Sequence, residues 1–530
     1  MRDKNQINRN MEYPIGIQSF EEIRLDNYTY VDKTGFVFKM VSEGKYYFLS
    51  RPRRFGKSML ISTFEAFFEG KRELFEGLYI YDKVTEWQAY PILHLDLNTR
   101  EYKDEQSLRD ELNKHLEKWE GLYGNQYQGR ALEERFTQVI ELAYQQTGKQ
   151  VVILVDEYDK PLLQTIDKPS LQTTYRNTLK AFYGALKSCD KYIKFAFLTG
   201  VTKFGKVSVF SDLNNLKDIS MLPAYATICG MTEEEVHKNF DEEVEKLAEN
   251  VGLSKAECYE KLTLDYDGYH FDVGAPSMYN PFSLLNTLDN KVFRDYWFET
   301  GTPSFLVHQL QKVDYLLENM THEELTADTL NSIDIMDSNP LPLLYQSGYL
   351  TLKDYDKRFN TYLLDFPNRE VREGFIKYLV PYYTPQRSHH SPFSISAFIK
   401  AVERGDAEGL MRQIENMFAN GDYQIMGDKE VYFHNAISLL FMLMGFYVDV
   451  ERRTTDGRMD MLVQTSDYIY IFEFKIDQSA DVALNQIEEK GYANAFDVDK
   501  RKLFKVGVNF STEKRRVDDW KVVERANVDD

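Results

Sequence analysis

Over the first 232 residues, short apolar runs alternate with stretches whose apolar positions recur at helical spacing. Runs at 46–50, 91–97, 151–156, 194–200 and 225–229 are bounded by polar or turn residues, which predicts buried strands. Between them, 107–119 and 131–145 carry the spacing of amphipathic helices. Parallel neighbours need a crossover long enough to form a helix, so this alternation predicts an α/β domain on a parallel sheet.

The pattern then changes. Residues 232–262 are charged and helical, opening on Thr232 and three glutamates, a capping-type start. Aromatic side chains crowd 266–271, 279–282 and 296–298. Residues 341–348 read as a helix end, and 349–353 with 361–366 as a hairpin around 354–360. A helix followed by such a hairpin resembles a winged helix. A polar stretch at 384–392 marks a boundary. Beyond it the pattern predicts helices at 394–418 and 430–445, a strand, a hairpin, a helix at 478–495 and a last strand. No internal repeat or low-complexity tract occurs. The expected divisions are 1–232, 233–385 and 386–530.

The C-terminal hairpin carries the first candidate chemistry. Runs 461–463 and 468–472 flank the turn Gln464-Thr-Ser-Asp467. Asp460 opens the first run, and Glu473 and Lys475 close the second, projecting from one face because strand side chains alternate. A register pairing Val463 with Tyr470 sets Asp460 opposite Glu473. Two carboxylates beside a lysine can hold a hard divalent cation and activate a water, as phosphodiester hydrolysis requires. Acids at strand ends are commonly just solvated. These follow a run that should be buried, where unpaired charge is costly.

A second candidate lies at Arg51-Pro-Arg-Arg-Phe-Gly56-Lys57-Ser58, between the strand at 46–50 and a helical stretch from Met59. Strand, tight loop and helix N-terminus are the setting of a P-loop, where backbone N–H groups and the helix dipole attract phosphate. Lys57 would reach the β/γ-phosphates and Ser58 would ligate Mg²⁺, with Arg53, Arg54, Phe55, Gly56 and Met59 completing the loop. Arg51 stands where the motif has its first glycine, and a side chain there is expected to distort the loop or weaken binding. The run at 151–156 ends in Asp156 and Glu157, suited to hold Mg²⁺ through water and to orient the attacking water. Thr199, ending the next strand, suits γ-phosphate sensing. Arg53, Arg54 and Arg176 could neutralise phosphate or equally be surface charges. The winged segment could be a DNA-binding wing, but beside such a domain it is more often a packing lid.

Composition narrows the class. At 530 residues, the chain can build several cores, and 43% hydrophobic content describes a folded protein. No apolar run reaches the ~18 residues of a membrane span, and the polar N-terminus lacks a signal-peptide core. Cys189, Cys229 and Cys258, with no C-x-x-C pair, argue against a cysteine zinc site and suit a reducing cytoplasm. A net charge of −20 argues against a protein that coats nucleic acid, though not against a nuclease with a local basic groove.

Taken together, the motifs resemble a bacterial family. Residues 50–58, Val155-Asp-Glu-Tyr-Asp-Lys160, Tyr266-Asp-Gly-Tyr269, Tyr279-Asn-Pro281, Gly301-Thr-Pro-Ser304 and Tyr30-Val-Asp-Lys-Thr34 resemble its AAA-ATPase-like domain. An arginine at position 51 is common in that family. Gly457-Arg-Met-Asp460, Glu473-Phe-Lys475 and Gln486-Ile-Glu-Glu-Lys-Gly-Tyr492 resemble the PD-(D/E)XK nuclease-superfamily domain fused behind it. The resemblance implies an additional-strand P-loop NTPase core, a helical and winged-helix-like lid, and a restriction-endonuclease-like α/β domain. It implies Asp460 and Glu473 as metal ligands and Lys475 as the catalytic lysine. Gln486 and Tyr492 would support them, Glu430 would add an acid, and His434 follows one turn later. The implied cofactors are ATP and Mg²⁺, with Mn²⁺ an option at the nuclease site. The implied partner is nucleic acid, DNA before RNA. Homo-oligomeric assembly, with a neighbour's arginine completing the ATP site, stays open. The alternative is a nucleotide-dependent switch or scaffold whose nuclease fold only binds.

Overall fold

The computed structural model describes residues 13–126, 129–204, 209–210, 213, 215–299, 304–331, 333, 339–383, 395–419, 429–445, 448–452, 461–514 and 516–525. The chain forms two compact units, residues 1–301 with 321–371 and residues 302–320 with 372–530.

The first unit is built on a five-stranded parallel sheet: β1 (Tyr46–Ser50), β2 (Ile92–Asp96), β3 (Val151–Asp156), β4 (Ile193–Gly200) and β5 (Lys217–Asp218), in the order β2-β3-β4-β1-β5. β1 and β3 are buried at every position, as strands covered by helices on both faces must be. The insertion of β4 between β1 and β3 makes this an additional-strand P-loop core. The register sets Ser50 beside Gly200 and Val155 beside Leu198, so the C-terminal ends of β1, β3 and β4 lie side by side. Ligands bind outside that edge in open α/β sheets. The run at 225–229 is not a strand: residues Pro223–Tyr225 form a 3-10 turn, and the fifth strand is the two-residue β5. Tyr225, Ile228 and Cys229 are apolar because they are buried, although they lie outside the sheet.

The lid follows. Helices Glu233–Val251 and Lys255–Tyr266 each begin with a reciprocal capping box, Thr232 with Glu235 and Ser254 with Glu257. They pack through Val236, Phe240, Val244, Leu247 and Leu262. Helix Pro281–Asn290 starts at Asn280, whose side chain accepts from the N–H groups of Phe282 and Ser283. Strands β6 (Glu324–Thr326), β7 (Thr351–Asp356) and β8 (Thr361–Asp365) form the wing, ordered β6-β8-β7. The preceding helix Leu341–Ser347 buries six of its residues, including Gln346 and Ser347, and so has no face left for a DNA groove. Gly268, at φ +94, is required where it stands, because a β-carbon would overlap the Pro367 carbonyl oxygen.

The second unit holds β9 (Asp449–Arg452), β10 (Met461–Gln464), β11 (Tyr468–Ile476), β12 (Lys502–Ser511) and β13 (Arg516–Glu524), ordered β13-β12-β11-β10-β9. Only β11 and β12 run parallel, with helix Ala480–Glu489 as their crossover. The even-numbered face of β11 is aromatic: Phe472 lies 5.2 Å from Phe441 of helix Lys429–Met444, and the Tyr470 hydroxyl donates to Val402 O at 2.7 Å. The odd-numbered face carries Ile469, Ile471, Glu473 and Lys475. Gly507 of β12 pairs with Glu473, and the Ala480 carbonyl comes so close to it that no β-carbon fits. The expected helix at 394–418 is two helices, Ile395–Glu403 and Ala407–Ala419, broken at Gly405 with φ +73 against the Tyr468 ring.

Buried Glu370 ties the lid together, accepting from the Ser283 hydroxyl and the Trp297 N–H, each at 2.7 Å. Burial pushes its carboxyl up to about 8. The native state therefore binds this proton more tightly than the unfolded chain does. The associated stability is complete below about 4.5 and is lost as pH rises towards about 8. Thermal unfolding followed from pH 5 to about 8 is expected to fall for wild type, with Glu370→Gln, whose amide oxygen still accepts from Trp297 N–H and whose N–H2 donates to the Ser283 hydroxyl, removing part of that slope. An unchanged slope would contradict this.

Candidate functional site

The chain leaves β1 through a loop that folds back on its own helix. Arg54 sits at φ +68 and Gly56 at φ +95, the left-handed cap from which helix Lys57–Phe68 starts. Lys57 is buried, donating to the carbonyls of Arg51 at 3.1 Å and Pro52 at 3.2 Å, with the Glu157 carboxylate 3.5 Å away. Ser58 and Met59 are half-buried, while Phe55 is buried edge-on against Tyr269 at 4.7 Å. Arg53 and Arg54 are exposed, and Arg54 lies over the Phe282 ring at 5.0 Å.

Arg51 does not obstruct this loop. Its guanidinium is turned beneath it, 1% exposed, donating to the carbonyls of Ser50 at 2.9 Å, Ser220 at 2.7 Å and Tyr225 at 3.1 Å. Its other face stacks on Phe271 of the lid at 3.9 Å. Burial pulls its ordinary value down to about 10, so it remains charged at neutral pH.

β3 and β4 supply the acids and the sensor position. Asp156 Oδ1 accepts from the Thr199 hydroxyl at 2.5 Å and the Glu157 N–H at 3.0 Å, and Oδ2 accepts no hydrogen bond among the described residues. Glu157 is held at φ +53, uncommon for a residue with a side chain. Asp159 is fully buried and fixes the chain after β4, accepting from Val201 N, Thr202 N and the Thr202 hydroxyl. Burial, reinforced by Glu157, pushes its carboxyl up to about 6. Among the described residues no group of three His, Cys, Asp or Glu side chains could hold a metal alone. Asp156 Oδ2 and the Ser58 hydroxyl are oxygen donors of the kind that a hard divalent cation takes when water and phosphate complete its shell.

A cavity of about 550 Å³ opens over the loop. Arg53–Met59, Glu157 and Lys160 line one part, and Ile15, Ile17, Val31, Met231 and Leu285 supply apolar wall. Arg176 does not line it. The apolar stretch at 14–17 escaped the sequence reading, although Pro14-Ile-Gly-Ile17 before the helix Phe20–Leu25 was the signal for it.

In the second unit, β10 pairs with β11 as the hairpin pattern predicts, Val463 with Tyr470 and Met461 with Phe472. Glu473 is 1% exposed and its Oε1 accepts from Lys475 Nζ at 2.7 Å. Asp460 lies outside the described residues. Glu430 falls in the first turn of helix Lys429–Met444, its side chain outside what is described, and His434 is exposed on the same helix. Gln486 is half-buried on helix Ala480–Glu489. Tyr492 sits in the apolar cluster of Leu462, Ile469, Ile471, Ile487 and Leu503. The structure thus joins Glu473 to Lys475 and places Tyr492 in core packing.

These arrangements define a P-loop module followed by a nuclease-type α/β fold. Residues 14–210 match the family model described as predicted AAA-ATPase, and 428–520 match that of the PD-(D/E)XK nuclease superfamily. The chain is 34% identical over 521 residues, 95% of its own length and 97% of the relative's, to the "Uncharacterized protein in vnfD 5'region" of Azotobacter chroococcum mcd 1. The chain belongs to the AAA-ATPase-like family that carries a PD-(D/E)XK nuclease-superfamily domain at its C-terminal end.

Arg51→Gly restores the glycine of the general P-loop motif, yet it strips donors from three buried carbonyls and empties the space beneath the loop. It is expected to destabilise the first unit by about 2–4 kcal/mol and to weaken nucleotide binding. Thermal unfolding and nucleotide titration check this, and a variant as stable as wild type would contradict it.

Proposed function

We propose that the first unit binds ATP with Mg²⁺ and hydrolyses it, and that the C-terminal domain cleaves phosphodiesters of nucleic acid, DNA in particular. The observation that carries the ATPase reading is the meeting of three adjacent strand ends: Lys57 beside Glu157 at 3.5 Å, and Asp156 bonded to Thr199 at 2.5 Å. Lys57 is held by loop carbonyls and so stays aimed along the loop when it exchanges Glu157 for phosphate. Glu157, released, orients the attacking water, while Thr199 keeps Asp156 Oδ2 turned outward. The apolar cavity wall takes the base.

At the C-terminal domain, Glu473 and Asp460 are the proposed cation ligands, with Glu430 as an added acid and Gln486 in support. Half-buried beside Glu473, Lys475 is placed to position a water or to neutralise charge on the phosphate. A divalent cation, Mg²⁺ or Mn²⁺ at this second centre, supplies charge neutralisation at both sites when bound, and a water of lowered pKa at the second.

Two variants separate the activities. Lys57→Ala is expected to abolish ATP binding and phosphate release while leaving the second centre unchanged. Glu473→Ala or Asp460→Ala is expected to lower Mg²⁺- or Mn²⁺-dependent plasmid degradation by about 100-fold or more. Undiminished nucleotide binding in Lys57→Ala would remove the ATP site. Equal residual plasmid loss in wild type and both acid variants would favour a nucleotide-dependent switch whose nuclease fold only binds.

A further inference from the structure

The cavity of the first unit holds more positive charge than its loop motif accounts for. Among the described residues its charged lining comprises Lys33, Arg53, Arg54, Lys57, Lys160 and a single acid, Glu157, in a chain whose net charge is −20. Lys33 is committed elsewhere, paired with Glu235 at 2.6 Å and bonded to Thr227 O at 2.9 Å. Lys57 faces Glu157. Lys160 differs from both: it makes no ion pair among the described residues, and its ammonium donates only to Asn98, to the carbonyl at 2.6 Å and to Oδ1 at 2.5 Å.

Asn98 follows the end of β2 and also lines the cavity, and its own N–H is fixed by Asp96 Oδ1 at 2.7 Å. Lys160 opens the short helix Lys160–Leu163 directly after the turn that holds Glu157 and Asp159. The ammonium is therefore positioned from two strands, β2 through Asn98 and β3 through its own backbone. The charges of Glu157 and Arg53 both act on it. A flexible lysine at a surface gains little from such fixing, because two neutral oxygens leave its charge uncompensated. On the wall of a phosphate cavity the same fixing aims a cation before the anion arrives, and a cation prepared in this way needs no reorganisation as charge develops.

We propose that Lys160, positioned by Asn98, is the in-chain cation for the terminal phosphate of the bound nucleoside triphosphate, doing within one chain what a neighbour's arginine does in many assembled P-loop ATPases. The proposal rests on the ATPase reading above. Lys57 serves the β- and γ-phosphates together, whereas Lys160 acts on the γ-phosphate and the charge that grows there as the bond to the leaving diphosphate breaks. Water is the nucleophile, and ADP and inorganic phosphate are the products. Discrimination between ATP and ADP, and turnover that needs no second subunit, both follow.

The test measures Mg·ATP and Mg·ADP binding by calorimetry, and phosphate release over a range of protein concentrations, for wild type, Lys160→Ala and Lys160→Arg. Lys160→Ala is expected to lose about 100-fold or more in turnover, and its preference for ATP over ADP, while ADP affinity changes less than about threefold. Lys160→Arg should recover part of the rate, and wild-type turnover per chain should be constant on dilution. Three results would overturn the proposal. Lys160→Ala could hydrolyse ATP as wild type does. It could lose ADP and ATP binding together, making Lys160 only a tether for β2. Wild-type turnover per chain could collapse on dilution, assigning the cation to a neighbour. Wild type that binds neither nucleotide would instead remove the ATP site itself, and this proposal with it.

Discussion

A guanidinium sealed from water is held by the carbonyl oxygens that its terminal N–H groups reach, and those oxygens are fixed by it in turn. Arg51 is such a group. Through the carbonyls of Ser50, Ser220 and Tyr225 it joins the end of β1 to the chain around β5, and through Phe271 it reaches the lid. The loop above it then has a floor. Lys57 lies along that floor on the Arg51 and Pro52 carbonyls, and Phe55 locks the loop's outer turn against the same lid aromatics. The loop geometry is thus a property of the sheet and the lid together.

The lid is tied back by a second buried polar group. Glu370 holds helix Pro281–Asn290 through Ser283 and the short helix Tyr296–Glu299 through Trp297, and the Trp297 indole N–H reaches the Arg53 carbonyl at 3.3 Å. Phe282, Leu285 and Asn286 of the first of these helices line the cavity. One acid therefore connects the cavity wall and the phosphate loop.

What could be read from the residues was what is local. β1, β3 and β4 are continuous apolar runs, and the Gly-Lys-Ser and Asp-Glu motifs sit directly at their ends, so the core and the candidate ATP site were both legible. β13 was not, because all its positions but Val517 are exposed or half-buried and it forms no apolar run. The apolar residues at 225–229 looked like a strand because burial outside a sheet selects the same side chains as burial within one. The path of the Arg51 side chain is hidden in the sequence for another reason. A motif specifies what the backbone needs at a position, whereas the direction of a side chain leaving it depends on residues more than 150 positions away. At the second centre, the Glu473–Lys475 pairing follows from strand alternation alone, but Tyr492 needed the tertiary packing to place it in the core.

In the proposed function, a loop floored by Arg51 presents one cavity to a nucleotide, with helix Pro281–Asn290 as part of its wall. Amide hydrogen exchange of the whole chain, with and without a non-hydrolysable ATP analogue and Mg²⁺, tests it most directly. Protection is expected to rise together in residues 14–18, 51–59 and 281–286, segments that contribute to the cavity lining. Saturating nucleotide that leaves 51–59 unprotected, or protects only segments away from the cavity, would contradict it.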